Sequence, residues 1–189
     1  MMRENEEFVD LAFLGGSTGR RDSQPGWQNF IGRTLIKKSI LDIGSGLGNS
    51  RSRLSQNENV VTLQEPAPEL SADIKEDISK IQDNSFQFVT AFDVIEHIPD
   101  DEAFIKHMFR ICTEGIFIST PNYNVFKCKN KYHIREYKPE ELINLSETVS
   151  NKFILFVCNN TMGQYPQKLS NKAFLNTMHP ALGVLIKKV

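Results

Sequence analysis

Glu96 and His97 are adjacent, Asp93 stands three residues upstream, and a second histidine, His133, follows in the segment KYHIREY. Histidine is the side chain most often used to take a proton in a transition state, and a neighbouring carboxylate steadies the charge it acquires. His97 is therefore the better-placed base and His133 the second. Two carboxylates with two imidazoles also form a donor set for a hard or borderline divalent ion. The residue types leave three readings open: a plain base, a metal site, or a structural histidine at a helix start.

A different chemistry is written in Ser39-Ile40-Leu41-Asp42-Ile43-Gly44-Ser45-Gly46-Leu47-Gly48. A short apolar strand runs there into a turn with glycines at alternate positions. Gly44 and Gly46 let the backbone approach a ligand with no Cβ in the way. A following helix, expected from about Asn49, offers its first N–H groups to the same ligand. A dinucleotide site wants G-x-G-x-x-G. Here the order is G-x-G-x-G with Asn49 next. Asp42, two residues before the first glycine, would repel a pyrophosphate and suits a cationic ligand with a free amino group. Asn49 and Asp42 together argue against a nicotinamide oxidoreductase. Glu65 closes the next strand and can accept both hydroxyls of a ribose, as strand-tip acids do in dinucleotide folds. Asp77 with Ile78 fits an acid that takes an adenine amino group while its neighbour packs on the ring. Asp73 with Ile74 fits nearly as well.

LDIGSGLG resembles the first motif of the Rossmann-like S-adenosylmethionine (SAM) methyltransferases, and DNSFQFVTAFDVIEHIPD is similar to a later segment of the same family. The resemblance covers roughly residues 38–150. It implies SAM as cofactor, held by Asp42, Gly44, Ser45, Gly46, Glu65, Asp77, Ile78, Phe92 and Asp93. It places His97, Glu96 and His133 on the catalytic side. DVIEH, STPNYN and HIREY also resemble the E-x-x-E-H metal motif of ubiquinone-biosynthesis O-methyltransferases and the small-RNA ribose 2′-O-methyltransferases. Asp93 replaces the first glutamate there and reaches one methylene less far. Thr120-Pro121-Asn122-Tyr123 is close to the N-P-P-Y turn of base methyltransferases, but it follows the fifth expected strand instead of the fourth and its third residue is Asn, which argues against base N-methylation.

These residues need elements to hold them. The chain has 189 residues and a formal net charge of −1, so one core is expected and no global field draws it to nucleic acid or membrane. No apolar run is long enough for a bilayer. Cys112, Cys128 and Cys158 are odd in number and form no C-x-x-C, which suits reduced thiols and a cytoplasmic location. Residues 1–25 are expected as an arm or lid, and 26–189 as a single domain. A helix is expected over Trp27–Ile36, with Trp27, Phe30, Ile31 and Leu35 on one side. Strands are expected over 39–43, 59–66, briefly within 72–77, and over 85–92, 115–122, 152–158 and 182–188. Helices are expected over 101–112 and 138–149, the latter from its capping pattern. The order predicts an α/β fold: a Rossmann-like seven-strand, mostly parallel sheet with one antiparallel member and helices on both faces.

The resulting expectation is a SAM-dependent methyltransferase. Its acceptor is an oxygen on a small molecule, sugar or lipid precursor, with a nucleic-acid ribose as second choice. The rival is a non-catalytic partner or assembly subunit that keeps the fold. Lys127, Lys129, Lys131 and Arg135 form a basic cluster suited to a phosphate or to solvent.

Overall fold

The computed structural model describes residues 24–128, 130–159 and 165–188. Its frame is a seven-stranded sheet built from β1 (Ser39–Ile43), β2 (Val60–Gln64), β3 (Phe86–Phe92), β4 (Cys112–Pro121), β5 (Phe153–Cys158), β6 (Gln167–Leu169) and β7 (Ala181–Lys187). The strand order is β2-β1-β3-β4-β7-β5-β6. β1 pairs parallel with β2 and β3, and β3 parallel with β4. β7 runs antiparallel between β4 and β5, and β6 antiparallel to β5.

Alternate residues of the buried strands serve opposite faces. Leu41, Val89, Ala91, Ile116, Ile118, Leu155, Val157 and Val184 point into one core. Helix α3 (Asp101–Ile111) covers it with Phe104, Ile105, Met108 and Ile111, and α5 (Pro139–Glu147) with Leu142 and Leu145. Ile40, Phe92, Phe117 and Phe156 point into the other core, under Trp27 and Ile31 of α1 (Gln24–Thr34) and Leu54 of α2 (Arg51–Leu54). Gly183 leaves the room that Trp27 fills, since a Cβ there would lie 2.8 Å from the indole. The remaining short helices are α4 (Tyr123–Phe126) and α6 (Asn171–Leu175).

The helix starts follow local chemistry. The Asp100 carboxylate accepts from Ala103 N–H at 3.0 Å and so caps α3. At α5, Pro139 supplies a first residue with no donor to satisfy, and Glu141 accepts from the Lys138 N–H at 2.8 Å.

Three expectations need correction. The helix after the glycine turn is only Arg51–Leu54, because the chain bends at Asn57 (φ +55°) so that buried Asn59 can tie Gly32, Leu35 and Leu54 carbonyls together. The strand near 72–77 shrinks to one bridge, Gln64 with Ile74. Its place on the β2 edge is taken by side chains: Asp73 accepts from Leu63 N–H at 2.8 Å and Arg51 donates to Val61 C=O at 2.8 Å. The sheet has two antiparallel members instead of one, because exposed, polar β6 completes the seven at the opposite edge. β6 carries no apolar alternation that a sequence reading would register. Helix α1 begins at Gln24, two residues inside the expected arm, and residues 1–23 lie outside the described residues. No helix among the described residues is long and apolar enough to cross a membrane.

Candidate active site

Two clusters are carried by the segments that follow β1, β3 and β4. The first grows from the end of β1. Asp42 is 2% exposed on an apolar sheet face. Its carboxylate accepts from Thr90 Oγ1 at 2.8 Å and from Ser50 Oγ at 2.5 Å. Burial pushes its pKa up to about 6, and the two hydroxyls oppose that rise only in part. Gly44 and Gly46 both sit in the left-handed region, at φ +65° and +54°. A Cβ on Gly44 would stand 2.7 Å from Val94 Cγ2, so this glycine also lets the segment after β3 close onto the turn.

Glu65 follows β2, and its carboxylate accepts from Gly46 N–H at 2.9 Å and from Ala67 N–H at 3.2 Å. Ser45 N–H donates to Gln64 C=O at 3.1 Å, which pins the turn to the β2 end. Asp42, Gly44, Ser45 and Phe92 line one small cavity together with Gln24 and Gln28 of α1. Gln24 Nε2 donates to Phe92 C=O at 3.1 Å. Both glutamines were missed by sequence reasoning, because an isolated polar residue in the first turns of a helix carries no spacing signal.

The expected adenine residues are placed separately. Asp77 accepts from Ser79 N–H at 2.8 Å, capping a short 3-10 turn, and Ile78 packs into the main core. Asp73 is committed to Arg51 at 2.6 Å and to the β2 edge. These hydrogen bonds hold both carboxyls below the usual carboxylate range: the Leu63 N–H first for Asp73, and the Ser79 hydroxyl first for Asp77.

The second cluster joins two distant segments. The Glu96 carbonyl accepts from Ile134 N–H at 3.0 Å and Arg135 N–H at 3.3 Å. His97 Nδ1 lies 2.9 Å from the Tyr132 carbonyl. Arg135 spans to Asp101 at 2.5 Å and to Pro99 C=O at 2.8 Å, and Tyr137 Oη donates to the same Asp101 at 2.7 Å. These links bring His133 beside His97, with ring centroids 5.0 Å apart and the rings edge to face. One donor atom each from Glu96, His97 and His133 falls within 4.8 Å of the others. Glu96 is fully buried and accepts from Thr120 Oγ1 at 3.2 Å.

The imidazole tautomers follow from their partners. A carbonyl only accepts, so His97 carries its proton on Nδ1 and leaves Nε2 as a lone pair. His133 Nδ1 faces Glu136 Oε1 at 3.0 Å, and its Nε2 faces Asn130 Nδ2 at 3.0 Å, so it adopts the same tautomer. Glu136, buried and also accepting from Cys128 N–H at 2.8 Å, stood in the HIREY segment, whose H-x-x-E spacing is its signal, without a role assigned to it.

Asp93 does not join this cluster. It adopts φ +54° at the end of β3, where its N–H donates to Ser119 C=O at 3.1 Å and its carboxylate accepts from Ser119 Oγ at 2.8 Å. Its reach, one methylene short of a glutamate's, goes into the β3–β4 seam. The Thr120-Pro121-Asn122 turn is held by Asn122 Nδ2, which donates to the carbonyls of Thr177 and His179.

A family model described as a methyltransferase domain matches residues 19–167. A curated relative from Mycolicibacterium smegmatis, a probable S-adenosylmethionine-dependent methyltransferase, is 33% identical over 92 residues, or 45% of this chain. The chain covers 34% of that relative's length. The fold is shared with the small RNA methyltransferase HEN1, at TM-score 0.67 and 12% identity, over 88% of this chain and 25% of that one. It is shared too with the plantazolicin methyltransferase BpumL in complex with SAH, at TM-score 0.60 and 15% identity, over 87% and 83% of the two chains.

Proposed function

The chain belongs to the methyltransferase-domain family, whose cofactor is SAM, and from that premise we propose that it moves the SAM methyl group onto a hydroxyl oxygen. The observation that carries this reading is the convergence of Glu96, His97 and His133, two of them on the segment after β3 whose Val94 packs against Gly44. On the cofactor side, Asp42 faces the cationic amino-acid end of SAM, Gly44, Ser45 and Gly46 bring backbone against it, and Glu65 exchanges its bond to Gly46 for the ribose hydroxyls. Phe92 and Asp93 border the methyl, and Asp77 with Ile78 is the assignment for the adenine end.

The transfer itself asks little of the protein. The sulfonium carbon is already activated, so alignment of oxygen, carbon and sulfur and exclusion of water supply most of the effect. With SAM bound, its methyl carbon would exchange the bond to sulfur for one to the acceptor oxygen, leaving S-adenosylhomocysteine, and His97 Nε2 would take the hydroxyl proton. Glu96, buried beside both imidazoles, stabilises the imidazolium that results. The acceptor is a small molecule, sugar or lipid precursor carrying a free hydroxyl.

One observation favours a second reading. Both histidines have Nδ1 against an oxygen acceptor and His133 is backed by a carboxylate; His97 then turns Nε2 to the cluster, while His133 Nε2 accepts from Asn130 Nδ2 and would exchange that bond for an ion. That outer-shell pattern typically orients metal-ligating histidines. Glu96, His97 and His133 would then hold a divalent ion, which would supply a lowered pKa to a bound hydroxyl. The acceptor in that case is a vicinal diol such as a ribose end, the class to which the likeness to a small RNA methyltransferase also points. Labelled SAM incubated with cell extract tests the first statement: methyl ethers or esters are expected, and only N-methylated bases would overturn it. Chelator decides between the two readings. Activity untouched by chelator supports His97 as base; complete loss, restored by a divalent ion, supports the ion.

A further inference from the structure

We infer that the acceptor carries a phosphate group, received by a rim of lysines set on tyrosine rings beside the Glu96–His97–His133 cluster; this rests on reading that cluster as the acceptor site. Between residues 123 and 138 the described basic residues are Lys127, Lys131, Arg135 and Lys138, against one acid, Glu136, in a chain of net charge −1. The acid does not neutralise the lysines. Glu136 is buried, and its two oxygens are taken by His133 and the Cys128 N–H. Arg135 is likewise committed, to Asp101 and Pro99.

The lysines are exposed, and their heads are placed. Lys127 Nζ lies 5.0 Å and Lys138 Nζ 5.7 Å from the centroid of the same ring, Tyr123. Lys131 Nζ lies 4.7 Å from the Tyr132 centroid. A ring face attracts an ammonium and narrows the rotamers of its stem. Among the described residues neither Lys127 nor Lys138 makes an ion pair. An ammonium is a compact point charge suited to a phosphate oxygen.

The rim is built into the cluster. Tyr132 gives its carbonyl to His97, Lys131 precedes it, and Tyr123 N–H donates to Tyr137 C=O at 3.0 Å. A hydroxyl at the histidines would therefore sit near any phosphate held on the rim. A phosphorylated sugar and the end of an RNA strand share this chemistry.

The test is a binding titration on the full chain loaded with S-adenosylhomocysteine, so no methyl transfer is needed. The probes are ribose 5-phosphate, a short single-stranded oligoribonucleotide with a free 3′ end, and ribose as the neutral control. At least one phosphorylated probe should bind while ribose does not. The double variant Lys127→Ala, Lys138→Ala should weaken that binding by about tenfold or more, as should a roughly tenfold rise in ionic strength. An unchanged melting temperature and unchanged cofactor affinity certify the variant's fold. Ribose 5-phosphate alone identifies a small phosphorylated acceptor, and the oligonucleotide alone a strand end. If neither binds, or binding ignores the double variant, the inference is overturned. The O-methylation reading fails separately, by the absence of methyl ethers and esters from the labelled products.

Discussion

The glycine-turn half of the crevice and the histidine half are stabilised in opposite ways. Around Asp42 the partners are neutral: the hydroxyl of Thr90 on the adjacent strand and that of Ser50 at the start of α2, while the next turn residue, Gly44, gives its N–H to the Gln64 side chain. Around Glu96 the Thr120 hydroxyl is joined by chargeable groups, His97 beside it and His133 from a segment more than thirty residues away in sequence, and that segment is anchored by the Arg135–Asp101 ion pair. A site for a cationic ligand gains from a carboxylate that no cation has already satisfied. A site that handles a proton gains from groups that share charge among themselves. The contrast predicts that damage to one half should leave the other half's measurable property intact.

The largest break should come from the histidine half. Glu96→Gln and His97→Gln each keep the size of the side chain and remove the charge-handling group. Turnover should fall by about 10²- to 10⁴-fold, the usual worth of a positioned acid or base. SAM affinity, measured by calorimetry, should stay within about twofold, since that half is untouched. Near-normal turnover in both variants would remove the cluster from catalysis.

Gly46→Val attacks the other half. A β-branched residue at φ +54° is strained by about 1–3 kcal/mol, and its side chain occupies space beside the ligand. SAM binding should weaken by at least about a hundredfold. The Arg135–Asp101–Tyr137 network should hold, so the loop over 130–137 should keep its amide protection in hydrogen exchange. Loss of protection there would mean that the two halves are one cooperative unit.

The same contrast explains what the sequence made legible. The glycine turn, Asp42 and Glu65 lie at the ends of strands that pair in register, β1 with β2, so local pattern was enough to place them. His133 could be nominated but not positioned. Its place depends on Ile134 and Arg135 reaching the Glu96 carbonyl, a long-range pairing with no periodic signature. The short edge fared worst. The bridge at Ile74 replaced an expected strand because Asp73 and Arg51 satisfied the β2 edge with side chains, which binary pattern does not encode. Seven strands were still found, but β6 was supplied at the far edge by the polar segment Gln167–Leu169.

Asp42→Asn sharpens the comparison by separating stability from binding. The carboxyl's pKa is about 6 in the fold against 3.8 for the ordinary group. Between those values the folded chain holds a proton that the unfolded chain has released. Wild-type stability therefore falls as pH rises through that window and stays lower above it, by about 3 kcal/mol at most. An amide pays no such desolvation cost. The variant should melt a few degrees higher than wild type at pH 8, and the gap should close near pH 4. It should also bind SAM at least about tenfold more weakly, having lost the charge that faces the ligand's amino group. In the wild type, SAM affinity should drop as pH falls below about 6, because binding must then displace the Asp42 proton. Equal melting temperatures at pH 8 would show that the carboxylate is not penalised by its burial.

The smallest expected effect is at Tyr137, which acts only through its neighbours. Burial, and then the Asp101 carboxylate, hold its phenol well above the ordinary pKa, so it remains an O–H donor throughout the working range. Tyr137→Phe keeps the ring in the core and removes one hydrogen bond to a charged acceptor. The cost should be about 1.5–3 kcal/mol of stability, less whatever Arg135 recovers by holding Asp101 alone at 2.5 Å. The loop carrying His133 should loosen without detaching, because the backbone bonds to Glu96 persist. Turnover should then fall a few-fold, with SAM affinity unchanged. Arg135→Gln removes the stronger anchor and should lower turnover further in the same direction. If Tyr137→Phe lowered SAM affinity instead, the neutral and charged halves would be coupled through α3, which begins at the Asp101 they would share.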